Sequence, residues 1–339
     1  LKSWVKPIQG YMGFMKYKKI DAKSYAKANF TGIWAANLTP FDEALRFDEQ
    51  AFRDNLRHWI VDLKLGGVFI AGKQAEFFSM SIAERKRMMA LAVEVASDCG
   101  PRPQSAPAAI VTSCSDTNLD VVLDLAKYSQ DIGADYVIVH SPVLHFGADT
   151  HETIFEYYRY LSEQLDIGIA MWNHPDCGYV MSPELCARIA ELPNIVAIKY
   201  STDKEKYTQL TKLAGEKIQI SNPDEDEWLN NMQELGWKLY LCSTPPFLLQ
   251  SKADQRVNEY TTLALKGQFK EARAVNDSLN SVRDAFKKSK PKGKPQAHAK
   301  YWQELLGQHG GSVRRPLLQL TPEEKEMIKK AFESSGLRV

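Results

Sequence analysis

The sequence predicts an α/β fold, a (β/α)8 TIM barrel with a C-terminal helical extension. Short apolar runs alternate with amphipathic segments from residue 31 to residue 242. Apolar runs that are each followed by a crossover helix are typical of a parallel sheet buried on both faces. Eight such units fit a closed barrel better than a doubly wound sheet, which usually has five or six strands. An open sheet with a second domain is the alternative.

The predicted strands are short and rich in β-branched residues, and helical patterns separate them. They cover residues 32–37, 67–71, 108–112, 135–140, 167–172, 195–199, 217–221 and 238–242. Between the first two strands, apolar side chains recur at helical spacing from Phe52 to Leu63. Ser81 and Glu84 have the spacing of a capping box, which marks the start of the helix after the second strand.

The sequence outside the barrel divides into two flanking regions. We expect an N-terminal extension at 1–29, the barrel at 30–250 and a helical region at 251–339. The last region contains helical patterns at about 255–267, 270–287, 296–306 and 321–335. Residues 1–29 show no clear periodicity, so we expect an arm that packs on a neighbouring molecule or on the outside of the barrel.

Composition excludes several classes of partner. The 43 Lys and Arg residues nearly balance 42 Asp and Glu residues, so no global field attracts nucleic acid or an anionic membrane. No apolar run has the length of a membrane span, about 18 residues, and no secretory leader is visible. The five cysteines are far apart and odd in number, which predicts a reduced, cytoplasmic protein.

Lys199 is the most informative residue for function. It ends a β-branched run, and barrel enzymes build their active sites at the C-terminal ends of strands. A lysine is rarely buried, because its charge is costly to remove from water. When its pKa falls, a buried lysine can attack a carbonyl group and form a Schiff base. The alternative is a lysine that reaches solvent or pairs with Asp203.

Five motifs together carry a family resemblance. They are Asn37-Leu-Thr39-Pro40-Phe41, Gly66-Gly-Val-Phe-Ile-Ala-Gly72-Lys-Gln-Ala-Glu76 with Glu84-Arg85 behind it, Trp172-Asn173-His-Pro175, Ile195 to Lys199, and Gly311-Ser-Val-Arg-Arg315-Pro316. In order and spacing they resemble the dihydrodipicolinate synthase and N-acetylneuraminate lyase family, over about residues 30 to 335. The resemblance implies a class I aldolase-type barrel, usually tetrameric, in which Lys199 forms an imine with a 2-oxo acid such as pyruvate and no cofactor is needed.

Three departures from the family pattern fall on the expected active face. Lys73 and Gln74 stand where the family has small hydroxyl residues that hold the substrate carboxylate. Trp172 replaces the tyrosine of the YNxP motif, and Pro142-Val-Leu replaces a Pro-Tyr-Tyr motif. An indole has only an N–H donor and cannot exchange protons as a phenol does. The proton relay of the family is therefore absent at both matching positions.

Histidines are the candidates to replace this relay. His140, His145 and His174 lie at or just after strand ends, and an imidazole titrates near neutrality. We expect His174 and His145 to transfer protons, with Trp172 beside them in the catalytic group. The three histidines lack tight ligand spacing and a neighbouring carboxylate, so a class II metal site is the less favoured alternative and we predict no metal.

The remaining polar residues at strand ends are candidates for substrate binding. They are Lys73, Gln74, Thr39, His140, Asn173, Asn222 and Ser243. Lys73 has two opposed interpretations, a carboxylate anchor or a like charge that lowers the pKa of Lys199; the separation of strands two and six favours the anchor. We expect Glu76, which opens the next helix, to satisfy backbone N–H groups or the helix dipole. Trp34 and Trp172 place aromatic bulk near the barrel mouth, which is a hint of a flat substrate.

The sequence therefore predicts a cofactor-independent lyase. It would make or break a C–C bond between a 2-oxo acid and an aldehyde-type co-substrate, as a homo-oligomer, either tetramer or dimer. A dehydratase or hydratase-aldolase that uses the same imine is one alternative. Because both tyrosines are absent, a non-catalytic binding or regulatory protein that keeps the fold is another, and fold alone does not decide between them.

Overall fold

The computed structural model describes residues 15–100, 109–143, 150–242 and 246–339. Its eight strands are β1 (Gly32–Ala36), β2 (Gly67–Ile70), β3 (Ala109–Ser113), β4 (Tyr136–His140), β5 (Gly168–Asn173), β6 (Ile195–Tyr200), β7 (Gln219–Ser221) and β8 (Leu239–Leu241). Neighbouring strands pair in parallel in the order β7-β6-β5-β4-β3-β2-β1-β8. The predicted barrel is thereby confirmed.

Helices alternate with the strands and then continue alone. In chain order they are α1 (Ala22–Asn29), α2 (Glu49–Arg57), α3 (Ile82–Asp98), α4 (Leu119–Asp131), α5 (Thr150–Gln164), α6 (Pro183–Ile189), α7 (Lys204–Ala214), α8 (Glu225–Leu235), α9 (Arg256–Leu265), α10 (Phe269–Asp277), α11 (Asn280–Lys288), α12 (Pro295–Leu305) and α13 (Pro322–Ser334). The predicted capping box is present at α3, where Ser81 and Glu84 bond reciprocally. Among the described residues, no helix is long and apolar enough to cross a membrane.

A seam between β7 and β8 interrupts the ring of strands. β1 pairs with both β2 and β8, whereas no ladder joins β7 to β8 in the described residues. One side chain bridges the seam, because the backbone N–H of Leu241 donates to Ser221 Oγ at 2.7 Å. The barrel is therefore nearly closed, with a side-chain hydrogen bond in place of the last ladder.

An aromatic cluster closes the N-terminal end of the barrel. The ring of Phe30 lies 4.3 Å from that of Tyr136 and 4.4 Å from that of Trp34, centroid to centroid. Earlier in the chain, the Tyr17 hydroxyl donates to the backbone oxygen of Asp135 at 2.5 Å and accepts the N–H of Gly168 at 2.8 Å. The described part of the N-terminal extension thus covers the barrel bottom. Trp34 lies there too, so our expectation that it stands near the mouth is wrong.

The C-terminal helices are held to the barrel by a buried network at the start of α8. Glu225 accepts hydrogen bonds from the Arg283 guanidinium at 2.6 Å and from the Tyr260 hydroxyl at 2.6 Å. These contacts connect α8 with α9 and α11. At another point, the indole N–H of Trp302 on α12 donates to the backbone oxygen of Leu248 at 2.9 Å.

Candidate active site

Lys199 stands at the centre of the C-terminal face of the barrel. The apolar run that precedes it forms β6, and its side chain points inward with the residue only 3% exposed. The ammonium group donates to the backbone oxygen of Cys242 at 2.7 Å. The rings of Phe69 and Trp172 each have their centroid 5.3 Å from Nζ. Aromatic side chains and one carbonyl therefore enclose the amine.

This surrounding lowers the pKa of Lys199 to about 8, and burial is the main cause. The positive charge of Lys73 lowers this pKa further, while Cys242 and Asp224 act in the opposite direction. At pH 7 a pKa near 8 leaves roughly a tenth of the amine neutral, far more than an ordinary lysine has. A neutral amine is the form that attacks a carbonyl carbon.

Trp172 forms one wall of the site. It lies on β5 in register with Lys199 on β6 and is 4% exposed. Its ring meets those of Phe69 and His140 edge-to-face, with centroid distances of 5.6 and 4.9 Å. The indole N–H is buried and has no hydrogen-bond partner among the described residues. Trp172 therefore shapes the site without any visible route for proton exchange.

His140 presents a basic nitrogen at the end of β4. Its Nδ1 lies 3.0 Å from the backbone oxygen of Ser141, and a carbonyl only accepts, so Nδ1 carries the proton of the neutral ring. Nε2 is then the unprotonated nitrogen. Burial lowers the pKa of His140, so the neutral form prevails near pH 7.

His174 is paired with Asp176. Its Nδ1 lies 3.2 Å from the backbone nitrogen of Asp176 and 3.2 Å from Asp176 Oδ1, so it has a donor and an acceptor beside it. Burial lowers the pKa of His174, and the charges of Lys73 and Lys199 lower it further. The site therefore holds two imidazoles, His140 and His174, whose lowered pKa values keep them neutral near pH 7 and able to accept a proton and pass it on.

Lys73 is held in an ion pair with Asp176. The two side chains are 41% and 49% exposed and connect the loop after β2 with the loop after β5 across the mouth. Lys73 and Gln74 share a single helical turn, Lys73–Ala75. The sequence analysis did not find Asp176, although its position directly after the Trp172-Asn-His-Pro motif was a usable signal.

Several other candidates bond to protein groups at the mouth. Thr39 Oγ1 donates to the backbone oxygen of Ala75 at 2.7 Å. Asn173 Oδ1 accepts the N–H of Met181 at 2.9 Å, and Asn173 is fully buried. Both side chains hold loops of the active face. A direct contact of either with substrate stays a prediction.

The loop after β7 contributes an acidic side chain. Asn222 accepts the N–H of Asp224 at 2.6 Å and donates to Glu227 at 3.0 Å, so it shapes this loop. Burial raises the pKa of Asp224, and the charges of Lys199 and His174 counteract that rise. Asp224 therefore lies close enough to the reactive amine to influence it, and the sequence analysis missed it.

Two predicted site residues, His145 and Ser243, lie outside the described residues. Phe69 is the opposite case, since the structure places it beside the amine and the sequence analysis did not name it. Within the described ranges, no three His, Cys, Asp or Glu side chains are grouped so as to hold a metal ion.

Comparisons with known proteins cover nearly the whole chain. The model of the dihydrodipicolinate synthetase family matches residues 29–335. A 4-hydroxy-tetrahydrodipicolinate synthase from a Nitratiruptor species is 28% identical over 305 residues, which are 89% of this chain and 96% of that relative.

Solved structures share the fold. CdNal from Clostridium difficile, in complex with mannosamine, matches with a TM-score of 0.76 at 22% identity, over 90% of this chain and 99% of that one. YagE, a prophage protein from E. coli K12 in complex with pyruvate, matches with a TM-score of 0.77 at 18% identity, over 92% of this chain and all of that one. At such identities the likeness concerns the barrel and its flanking helices.

Proposed function

This chain belongs to the dihydrodipicolinate synthetase family of lyases, and from that premise we propose that Lys199 forms an imine with a 2-oxo acid of the pyruvate type. The resemblance drawn from the motifs is confirmed by the family match. The proposal rests chiefly on the buried amine of Lys199, whose pKa is lowered to about 8 at the C-terminal end of β6. No cofactor enters the proposed reaction.

The chemistry begins when neutral Lys199 attacks C2 of the 2-oxo acid. The carbonyl oxygen takes up two protons, one from the attacking nitrogen and one from a general acid, and leaves as water, while the nitrogen becomes a protonated imine. In the synthetic direction, loss of a proton from C3 gives an enamine, which attacks the carbonyl carbon of an aldehyde-type co-substrate. In the cleavage direction, the bond between C3 and C4 breaks and the imine nitrogen receives the electron pair.

The two histidines supply the proton transfers in this proposal. His140 Nε2 takes the proton from C3 or from a C4 hydroxyl, while His174 takes a proton from the attacking nitrogen and passes it to the departing C2 oxygen. Neutral imidazoles suit these roles near pH 7, because each can change its protonation state there. His145 stays a further candidate for proton transfer.

Lys73 is proposed to bind the substrate carboxylate. A charge-assisted hydrogen bond from its ammonium group would replace the contact that Lys73 makes with Asp176. Lys73 also lowers the pKa of Lys199, after the larger effect of burial. The two interpretations that we contrasted from the sequence therefore coexist, with anchoring proposed as the principal role.

We propose a homo-oligomer, either tetramer or dimer, working in the cytoplasm. The resemblance to the family supports this proposal, because it implies a barrel that is usually tetrameric. Light scattering of the purified protein gives its mass in solution, and a monomeric mass would contradict this proposal.

Borohydride trapping tests the imine directly. The protein is incubated with pyruvate or a larger 2-oxo acid, reduced and digested, and the adduct is located by mass spectrometry. We expect the adduct on Lys199 and no effect of a chelator. An adduct on another lysine, or none with any 2-oxo acid, would contradict the mechanism and favour a binding protein. Release of water without an aldehyde product would identify a dehydratase.

A further inference from the structure

We propose that Lys300, on α12 in the C-terminal helical region, is a positioning residue that acts through Glu76 to hold the substrate-binding turn after β2. This turn, residues 72–76, is called the β2 turn below and includes Lys73 and Gln74. The inference rests on the proposed function, because it assigns the β2 turn to binding of the 2-oxo acid. If Lys300 has this role, the C-terminal helical region contributes to the affinity for the 2-oxo acid.

The pair itself is fully enclosed. Lys300 Nζ lies 2.6 Å from a carboxylate oxygen of Glu76, and neither side chain is exposed. The ammonium group also donates to the backbone oxygen of Ser312 at 2.7 Å and lies 4.5 Å from the centroid of the Phe41 ring. A buried carboxylate is tolerated only when a cation or hydrogen-bond donors compensate it. Glu76 therefore depends on Lys300 for charge compensation inside the protein.

The second carboxylate oxygen of Glu76 binds the C-terminal segment as well. It accepts the backbone N–H of Arg314 at 2.9 Å, so Glu76 does satisfy a backbone N–H group, and that group belongs to the C-terminal segment. Arg314 is fixed in turn, since its guanidinium bonds Glu84 at 2.6 Å and the backbone oxygen of Leu45 at 2.8 Å. Glu76 is thus held from two directions by residues that lie far away in the sequence.

The β2 turn needs such support. Glu76 has φ 61° and ψ 37°, a left-handed conformation that is unfavourable for a residue other than glycine. A strained conformation persists only where the surrounding structure determines it. The backbone N–H of Glu76 bonds the oxygen of Lys73 at 3.1 Å, so the anchored end of the turn is connected directly to Lys73.

Stability of the fold is a poor explanation for this pair. Buried ion pairs are often no more stabilising than apolar side chains of the same volume, because desolvation offsets the attraction. The same helix begins with a second ion pair, Lys294 with Glu324 at 2.6 Å, which joins α12 to α13 and touches no part of the β2 turn. This pair provides a control on the same helix, although its side chains are 13% and 25% exposed.

The test uses Lys300→Met in the full chain and measures the pyruvate concentration that gives half-maximal borohydride trapping at Lys199. We expect that concentration to rise by about tenfold or more, while trapping at saturating pyruvate stays within about twofold of wild type, since misplacing a binding group weakens affinity and leaves the nucleophile intact. Lys294→Met should leave the half-saturating concentration unchanged. Equal half-saturation in Lys300→Met and wild type would overturn the inference.

A double variant covers the case in which Lys300→Met fails to fold. Glu76→Gln combined with Lys300→Met leaves no unpaired buried charge, so its melting temperature should recover. We expect its half-saturating pyruvate concentration to remain raised, because the neutral amide no longer pairs with an ammonium group. If affinity returned together with stability, the pair would be merely structural. If wild type trapped no 2-oxo acid, the proposed function would fail instead.

Discussion

Trp172 lies beside Lys199 on the neighbouring strand, with its ring centroid 5.3 Å from the lysine amine, and its indole N–H has no partner in the described residues. An unsatisfied buried donor costs about 1 to 3 kcal/mol. On the contacts of the described residues, the indole N–H is therefore a cost. We propose that the ring contributes shape and excludes water from the amine.

Trp172→Phe should consequently be a mild change. It removes the unpartnered N–H and keeps an aromatic wall, so we expect kcat within about fivefold of wild type and little loss of thermal stability. Steady-state kinetics and a melting curve measure both. A loss of activity as large as that of the histidine variants would show that the indole N–H takes part in the reaction.

His174→Gln should lower kcat by roughly 10² or more, the scale of a lost general acid or base, and should affect imine formation less. His140→Gln should lower kcat on a similar scale, because the unprotonated Nε2 of His140 is the proposed base. His309→Gln is the control, since that side chain is 55% exposed and outside the site. Full activity in both variants would show that another residue transfers the protons, and His145 would be tested first.

The rate of imine trapping should depend on pH through Lys199. Its pKa in the folded protein is lowered to about 8, so the neutral, reactive amine increases as pH rises towards 8 and is dominant above it. We expect the rate at saturating pyruvate to rise with pH through this range, with its midpoint near the lowered pKa of about 8. A midpoint close to the ordinary lysine pKa, about 10.4, would indicate a solvated amine.

Lys73→Met separates anchoring from electrostatic activation. As a carboxylate anchor Lys73 contributes on the order of 1.5 to 3 kcal/mol to binding, so KM for the 2-oxo acid should rise by about tenfold or more. Removal of its charge should raise the pKa of Lys199, by less than about one unit since burial is the larger cause. A shift of a full unit with unchanged KM would reverse this order of roles.

Tyr17→Phe should weaken the fold and spare the chemistry. The variant loses the hydroxyl that bonds the backbone of Asp135 and Gly168 at the barrel bottom. Leaving such buried groups unpaired costs about 1 to 3 kcal/mol, so the melting temperature should fall. Trapping at Lys199 should be unchanged, because the site lies at the other end of the barrel. Impaired trapping in the folded variant would contradict this separation.

The barrel was predictable because its signal is local and repeated. Apolar residues recur with one period in strands and another in helices. Eight repeats of a strand followed by a helix are compatible with few topologies. The ends of the helices were harder to predict than the barrel. The predicted helix at 270–287 is two helices, α10 and α11, interrupted at Ser278 and Leu279. Periodicity continues across such a break, so the sequence pattern does not reveal it.

The site was predictable only where one residue is exceptional in its surroundings. Lys199 at the end of an apolar run is such a residue. Phe69 is an ordinary apolar residue in a strand buried on both faces, so alternation does not tell which face it occupies. The pairing of Glu76 with Lys300 joins distant parts of the chain, and only tertiary packing brings them together.

The seam between β7 and β8 has a consequence for the motions of the barrel. Along this edge the strands, as far as the structure describes them, share no ladder, and Lys199 Nζ, from β6, donates to the oxygen of Cys242 just beyond β8. The reactive amine therefore reaches from β6, next to the end strand β7, to the residue that follows β8 on the other side of the gap. Alkylation of Lys199, as the imine or as the reduced secondary amine, leaves fewer N–H donors for that bridge. We expect amide hydrogen exchange near Leu241 to quicken in the reduced pyruvate adduct, so that local opening of the barrel reports the covalent state of its nucleophile.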